Sequence, residues 1–563
     1  MVSNQPPENS NDTVINDKSN ENQLNSTKNN SSQPENSSEN CENVNRCAIC
    51  QIESKLRCSN CNFVYYCSAA HQKQDWKQHK QQCHPFIIKS NEKYGRYLVA
   101  SRNIRAGEIV LKEKALVSGP SQITGPVCIG CMKGLEEDDG HTECDNCGWP
   151  ICSKECAKIP EHAVECEITK ARGKVEISNY ISPHPIYQCV TPLRCMLLKK
   201  TNPENWSKLI QLESHENIRR GSQQWKIDYE GVAKFIPKFF RTTEFSEDEI
   251  MKVTGILQIN GHEVPLSEPP YVAIYNQASL IEHSCIPNLT KSFSKRGDVI
   301  FWATRSIKKD VNLSICYTDA IWGTAARQNH LLQTKLFKCE CSRCKDVTEL
   351  GTNYGAIKCN KNDCDGLCLP LSLETLNSQW RCLKCQKTLE IAYVTDILDR
   401  AGKDLAAMEK GNADHCKRYI NHYTKWLPKQ HHYICEVKVA LAQLIGSGGP
   451  EILQSITNDE LNKKIELCRE QIGLFEKLAP SEARMLGLLC FELHAALAER
   501  GRRASTREDD ADICTCALEE SLEYVEKSIN YLQHEPTTLS EGQIYGQAKI
   551  NRDSLKLVMG LPC

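Results

Sequence analysis

No stretch of this sequence stays apolar for the ~18 residues that a bilayer-crossing helix needs, so no membrane span is expected. An excess of either charge is missing too. The 69 basic residues stand against 71 acidic ones, for a formal net charge of −2, which removes the bulk electrostatic basis for holding nucleic acid or an anionic surface. The N-terminus lacks the basic start and apolar run of a secretory signal. An intracellular chain is therefore expected, cytoplasmic, nuclear or both. Apolar content is almost absent from residues 1 to 42, which are mostly Asn, Ser, Glu and Gln; such a segment cannot bury a core and reads as a disordered tail.

Cysteine is abundant. The chain has 33 of them in 563 residues. In a reducing compartment thiols stay free of disulfides, so dense clusters point to metal. The length is too great for one core, and several structural units are expected.

Cysteine and histidine concentrate in three regions. In 47 to 83 they fall as Cys47-x2-Cys50, Cys58-x2-Cys61, Cys67-x3-His71 and His79-x3-Cys83. In 128 to 166 the same order returns as Cys128-x2-Cys131, Cys144-x2-Cys147, Cys152-x3-Cys156 and His162-x3-Cys166. Tetrahedral zinc takes four thiolate or imidazole donors, and a two- or three-residue gap lets one knuckle or helical turn supply two. Eight donors per segment imply two zincs each, interleaved: first pair with third, second with fourth. The two segments are a duplicated module in which His71 stands where the other copy has Cys156, a swap that keeps the donor count. Buried free thiols are the plainer alternative.

The third region, 339 to 385, opens with Cys339-x-Cys341-x2-Cys344, one donor short of a closed site. Cys285, far back in "SLIEHSCIPN" (279 to 288), is available as the fourth. Cys359-x4-Cys364 with Cys382-x2-Cys385 makes a further set, with Cys368 as a spare donor. About six zincs follow from this count.

Between these regions, "RYLVASRNIRAGEIVLKEKALVSGP" (96 to 120) alternates like strands paired about a turn at Ala106-Gly107. Residues 288 to 307 have strand character, with Lys295-Arg296-Gly297-Asp298 as a hairpin turn. Ser246 and Glu249 form a capping-box pattern ahead of Ile250, Val253 and Leu257. From 391 onward the pattern is helical. Leu461, Ile465, Cys468, Ile472 and Phe475 form one apolar stripe, and Leu518, Leu522, Val525, Ile529 and Leu532 a second. Stacked antiparallel helix pairs or a plain helical bundle both suit the tail.

"YCSAAHQKQDWKQHKQQC" (66 to 83) resembles the second half of a MYND zinc finger, and 128 to 166 is similar to the whole module. "GRYLVASRNIRAGE", "SLIEHSCIPN", "ICYTD" and "FKCECSRC", in that order, resemble the split SET domain. Together they identify the chain as similar to the SET-and-MYND protein-lysine methyltransferases, and two fingers with "EHSC" resemble the arthropod-expanded branch of that family. The resemblance implies an α+β multidomain fold. Its expected parts are a tail (1–42), a first MYND-type finger (47–83), the SET N-terminal part (87–120) and a second, inserted finger (128–166). A helical insert (170–250), the SET core (251–320), a post-SET zinc region (336–390) and a helical, TPR-like C-terminal domain (391–563) complete it.

The implied activity is transfer of a methyl group from S-adenosylmethionine to a lysine of a histone or other protein. The alternative is an inactive adaptor that binds proline-containing peptides. By resemblance Gly95 and Arg96 lie on the cofactor loop, Asn260 near the cofactor's carboxylate end, and Glu282 and His283 beside the cofactor. Phe337 would pack on its adenine, and Tyr317 would be the catalytic-site tyrosine. Methyl transfer to an amine is an in-line displacement that needs alignment and a neutral lysine more than a nucleophilic side chain. The chain departs from the pattern at Glu282, where an asparagine is usual, at Tyr97 in place of a second glycine, and at Lys309-Asp310-Val311. The expected partners are protein substrates or peptides, with no nucleic acid and no membrane, and the chain is expected to be monomeric. Sequence-specific DNA binding is set aside because the zinc-ligand spacing lacks the helix-bearing gap of a C2H2 finger.

Overall fold

The computed structural model describes residues 46–54, 56–58, 64–136, 140–373, 378–506 and 511–562. The expected tail and Cys61 lie outside them. The chain divides into two compact units, Met1–Trp76 and Lys77–Cys563. In the first, Leu56–Arg57 pairs antiparallel with Tyr65–Tyr66, a ribbon too short to be stable alone. Buried Tyr66 donates its hydroxyl to Asp75 at 2.6 Å.

The second unit is built on Val299–Ala303, which pairs antiparallel with Leu289–Phe293 on one side and Ile109–Glu113 on the other. Val-Ile-Phe-Trp-Ala is buried at every position, which is why it is a continuous apolar run without alternation. Lys295 to Asp298 turn the hairpin, with Gly297 at φ +81°. A second sheet joins Val117–Gly119, Tyr271–Ile274 and His262–Val264. Phe86–Asn91 and Gly95–Ala100 form a hairpin.

The chain does turn at Ala106-Gly107, but the strands on either side do not pair with each other. Gly107 donates its N–H to Ala303 O at 2.7 Å, and Ala303 N–H returns to Glu108 O at 2.9 Å. Buried Glu108 also accepts from Arg105 N–H at 3.0 Å and from the Arg102 guanidinium. Those bonds commit the second strand to the distant Val299–Ala303, so alternation located strands whose partners lay elsewhere.

Helices fill the segment between the second finger and the SET core. Glu247–Asn260 starts on the Ser246/Glu249 capping box and runs through the expected boundary at 250. In the tail, Leu461, Ile465, Cys468, Ile472 and Phe475 are all buried. The second stripe is offset: the buried line is Ala517, Ser521, Val525, Ser528 and Leu532. Small residues on that line let the helix approach Ala483–Ala504 closely, and Ser528 Oγ donates to Gly487 O at 2.8 Å. The tail docks on the SET strands through Ser481, whose hydroxyl donates to Pro287 O at 2.8 Å and lies 2.7 Å from Thr304 Oγ1. Among the described residues no helix is long and apolar enough to cross a membrane.

Candidate active site and zinc centres

Among the described residues several groups of cysteine and histidine gather their donor atoms within 4.8 Å of one another, and five of them are quartets named here. They are Cys47, Cys50, Cys67, His71; Cys128, Cys131, Cys152, Cys156; Cys144, Cys147, His162, Cys166; Cys285, Cys339, Cys341, Cys344; and Cys359, Cys364, Cys382, Cys385. Tetrahedral zinc with Zn–S bonds of ~2.3 Å places its sulfurs ~3.8 Å apart. The sulfurs of Cys144 and Cys166 are 3.9 Å apart, those of Cys285 and Cys339 also 3.9 Å, and those of Cys364 and Cys382 3.7 Å. These clusters fit zinc. Cys368 is buried opposite Cys382 on the neighbouring strand, and its thiol interacts with those of Cys359 and Cys382. Cys58, His79 and Cys83 are buried.

Carboxylates and guanidiniums that no spacing rule picks out support two of these clusters. His162 sets Nδ1 3.0 Å from Glu165 Oε1 and Nε2 3.5 Å from Cys147 Sγ. A proton on Nδ1 donated to the carboxylate leaves Nε2 for the metal, the usual way a zinc histidine is oriented. Arg194 holds that carboxylate with a fork, Nε to Oε2 at 2.8 Å and Nη2 to Oε1 at 2.7 Å. The signal for Arg194 was a charge inside an apolar helix, "VTPLRCMLL", where every residue from Val190 to Leu198 is buried. Around the third-region quartet, Arg327 donates Nε to Cys285 Sγ at 3.3 Å and Nη2 to Cys344 Sγ at 3.6 Å. Glu349 accepts from Arg327 at 3.0 Å and from Arg343 at 2.8 Å. Burial alone would raise the Glu349 carboxyl, and the two guanidiniums more than reverse this, holding it below its usual range.

The residues assigned by resemblance fall into two groups. In the first, the two-residue strand Glu282–His283 runs parallel to Ser314–Ile315, which brings Tyr317 to His283. Tyr317 N–H donates to His283 Nδ1 at 3.0 Å, and the rings lie 5.2 Å apart. Phe337 lies 5.8 Å from the same imidazole. Since Nδ1 accepts, the proton sits on Nε2, 3.2 Å from Cys285 Sγ. Both ring nitrogens are thus engaged by the protein. Burial drops the His283 pKa to about 4, keeping the ring neutral. The Tyr317 hydroxyl donates to Ile281 O, and burial raises its pKa, so it stays a donor. Glu282 is half-buried and accepts from Asn312 Nδ2 at 3.2 Å; burial lifts its carboxyl above the usual range.

In the second group, Gly95 ends the hairpin turn at φ +63°. Arg96 donates Nη2 to Gln211 O at 2.6 Å, and Asn260 donates Nδ2 to Glu213 O at 2.7 Å. Segment 211–219 therefore lies across both. Arg219, buried at its end, donates Nη2 to Asp228 at 2.7 Å and to Gln258 at 2.8 Å. Its Nη1 is buried with no hydrogen-bond partner among the described residues. Gly255 leaves room for it: a Cβ there would stand 2.2 Å from Nη1. An orphaned guanidinium N–H beside Asn260's helix is a donor suited to the carboxylate of an amino-acid ligand. Lys93, in the hairpin turn, pairs with Glu340 at 2.7 Å, so the turn reaches the zinc cluster of the other group.

Lys335 also enters the site, without any prior sign in the sequence. Its Nζ donates to Ile259 O at 2.7 Å and to Gln258 O at 3.3 Å, and it stands 5.9 Å from the centre of the Tyr317 ring.

The SET-domain profile matches residues 95–318 and the MYND-finger profile residues 47–83. The second finger-like module lies inside the SET match. By these two profiles the chain is similar to SET-and-MYND-domain proteins. It is 25% identical over 419 residues to the Drosophila melanogaster SET domain-containing protein SmydA-8, isoform A, covering 72% of this chain and 88% of that protein. It is 26% identical over 293 residues to the Arabidopsis thaliana histone-lysine N-methyltransferase ASHR1, covering 49% of this chain and 59% of that one. The mouse histone-lysine N-methyltransferase SMYD3 is 26% identical over 266 residues, with 45% and 59% covered.

Proposed function

We propose that this chain is an S-adenosylmethionine-dependent protein-lysine methyltransferase that acts on a histone or non-histone protein and carries about six zincs. The observation that carries the reading is the pairing of Glu282–His283 with Ser314–Ile315, which seats Tyr317 against His283 and Phe337 inside the SET-matched segment. The relatives named as histone-lysine methyltransferases support it.

When bound, the cofactor supplies an activated methyl group. The chain's own residues do the rest. Arg219 Nη1 and Asn260 would hold the amino-acid end, and Phe337 would pack on the base. The phenol of Tyr317 stays protonated and donates to Ile281 O, which fixes both groups at the acceptor site. An incoming lysine that sheds its water near Tyr317 loses preference for the ammonium form, so burial favours the neutral amine that the displacement needs. A zinc held by Cys285, Cys339, Cys341 and Cys344 would fix "EHSC" against Phe337's segment, and its contribution would be alignment.

A second reading, an adaptor without methyl transfer, is favoured by one observation: main-chain carbonyls already occupy Arg96 and Asn260. The MYND fingers would then be the working parts, as protein-interaction modules. Calorimetric titration of the full chain with S-adenosylhomocysteine separates the two. Saturable binding supports the enzyme. Absence of binding, with binding gained by Glu282→Asn, supports the adaptor.

A further inference from the structure

Lys335 is the amine that the site already holds. It follows the helix Thr324–Thr334, and the next residue, Leu336, takes a left-handed backbone at φ +61°. That conformation is uncommon for a branched side chain, and it brings Lys335 and Phe337 into the same site from one short stretch. Nζ lies between the two groups of site residues. On one side it meets the last turn of Glu247–Asn260, at the carbonyls of Gln258 and Ile259. On the other it faces the Tyr317 ring at 5.9 Å.

Two carbonyls can take the two N–H bonds of a neutral amine, which leaves its lone pair unengaged by them. An in-line displacement needs its amine held in one orientation, and the two main-chain carbonyls beside the Tyr317 ring hold Nζ in one. Burial, with the charge of Lys291 added, lowers the Lys335 pKa to about 8. A sizeable fraction is therefore neutral in mildly alkaline buffer, unlike an exposed lysine near ~10.4.

We propose that Lys335 is itself a methyl acceptor of this SET site, so that the chain modifies its own post-SET approach. The inference rests on the methyltransferase reading above. The ammonium first gives a proton to water. The lone pair of Nζ then forms a bond to the methyl carbon as the carbon–sulfur bond of S-adenosylmethionine breaks. The sulfur keeps that electron pair, leaving S-adenosylhomocysteine and a methylated Lys335 that regains positive charge.

The test incubates the purified full-length chain with S-adenosylmethionine carrying an isotope-labelled methyl group and maps labelled lysines by mass spectrometry. The same preparation is titrated with S-adenosylhomocysteine. Expected are a label on Lys335, a rate per chain that does not change with protein concentration, and loss of that label in Lys335→Arg. Lys338→Arg, on the exposed side of the same stretch, should keep it. Tyr317→Phe should reduce labelling tenfold or more, a barrier change of ~1.4 kcal/mol. Binding of S-adenosylhomocysteine with no label at Lys335, or with label only elsewhere, overturns the proposal while the methyltransferase reading stands. Neither binding nor label overturns both.

Discussion

Arg327 donates to the sulfurs of Cys285 and Cys344 while Nη1 pairs with Glu349, and all of these side chains are buried. Four thiolates overcharge a divalent cation, and a guanidinium in the second layer offsets the excess. Glu349 in turn balances Arg327 and Arg343 together. Removing that carboxylate leaves two cations short of counter-charge in the interior, so Glu349→Ala should cost on the order of 3–5 kcal/mol, read as a lowered denaturation midpoint. Cys285→Ser acts one step nearer the metal. It should lower bound zinc by about one per chain in metal analysis, and unchanged content would remove Cys285 from the site. Of these residues only Cys285 could be found beforehand. A cysteine triplet one donor short asks for a fourth, whereas Arg327 sits in "TAARQNHLL" with nothing to set it apart from a solvated helix face. Glu165 was hidden for the same reason: its role exists only once His162 and Arg194 converge on it.

Elements with local causes were legible and those with distant causes were not. Ser246 and Glu249 cap their helix through atoms three residues apart, and the stripe Leu461 to Phe475 is buried because one helix face packs against His432–Leu444 and Ala483–Ala504. The strands beside Ala106-Gly107 were placed correctly but paired wrongly: Gly95–Ala100 pairs back with Phe86–Asn91, and Ile109–Glu113 with Val299–Ala303 far along the chain. Segment 211–219 is the clearest omission, because a loop that lies across a site has no period to reveal it. If the cofactor takes up Arg96 and Asn260, their bonds to Gln211 O and Glu213 O must break. Hydrogen exchange at residues 211–215 should then rise when S-adenosylhomocysteine binds, and unchanged exchange in the bound protein would mean that the loop is not displaced. In the tail, His494 ties three helices: Nδ1 lies 2.8 Å from Ser521 Oγ, and Asn551 Nδ2 donates to Nε2 at 3.2 Å. A proton on Nε2 would face a donor. Burial lowers this histidine to about 4, against ~6.5 unfolded. The unfolded chain therefore takes up the proton first as pH falls. Stability should decline from pH ~6.5 down to ~4, by up to about 3 kcal/mol. The difference between wild type and His494→Gln in thermal melts across that range isolates the effect from metal loss.

At the scale of the whole molecule, cysteine clusters and apolar cores divide the labour of holding the chain together. Around the quartets regular structure is short: Thr142–Glu143 with Pro150–Ile151 in the second finger, and four strands of two to four residues between Ile357 and Leu389. Ribbons of that length do not persist in water unaided, and metal binding there supplies folding free energy directly. The tail has a larger core, since Leu461, Phe475, Leu486, Leu493 and Leu497 are buried between long helices, joined by Tyr354, Ile357 and Leu389 of the zinc region. Chelation should therefore unfold the molecule in parts. With a strong chelator present, limited proteolysis should cut within 128–166 and 339–385 while a fragment from 391 onward survives and most of the helical circular dichroism remains. Zinc added back should restore resistance in both segments. If the tail is digested at the same rate as the fingers, its docking through Ser481 on Pro287 and Thr304 carries more of its stability than its own core does, and the division of labour drawn from burial is wrong.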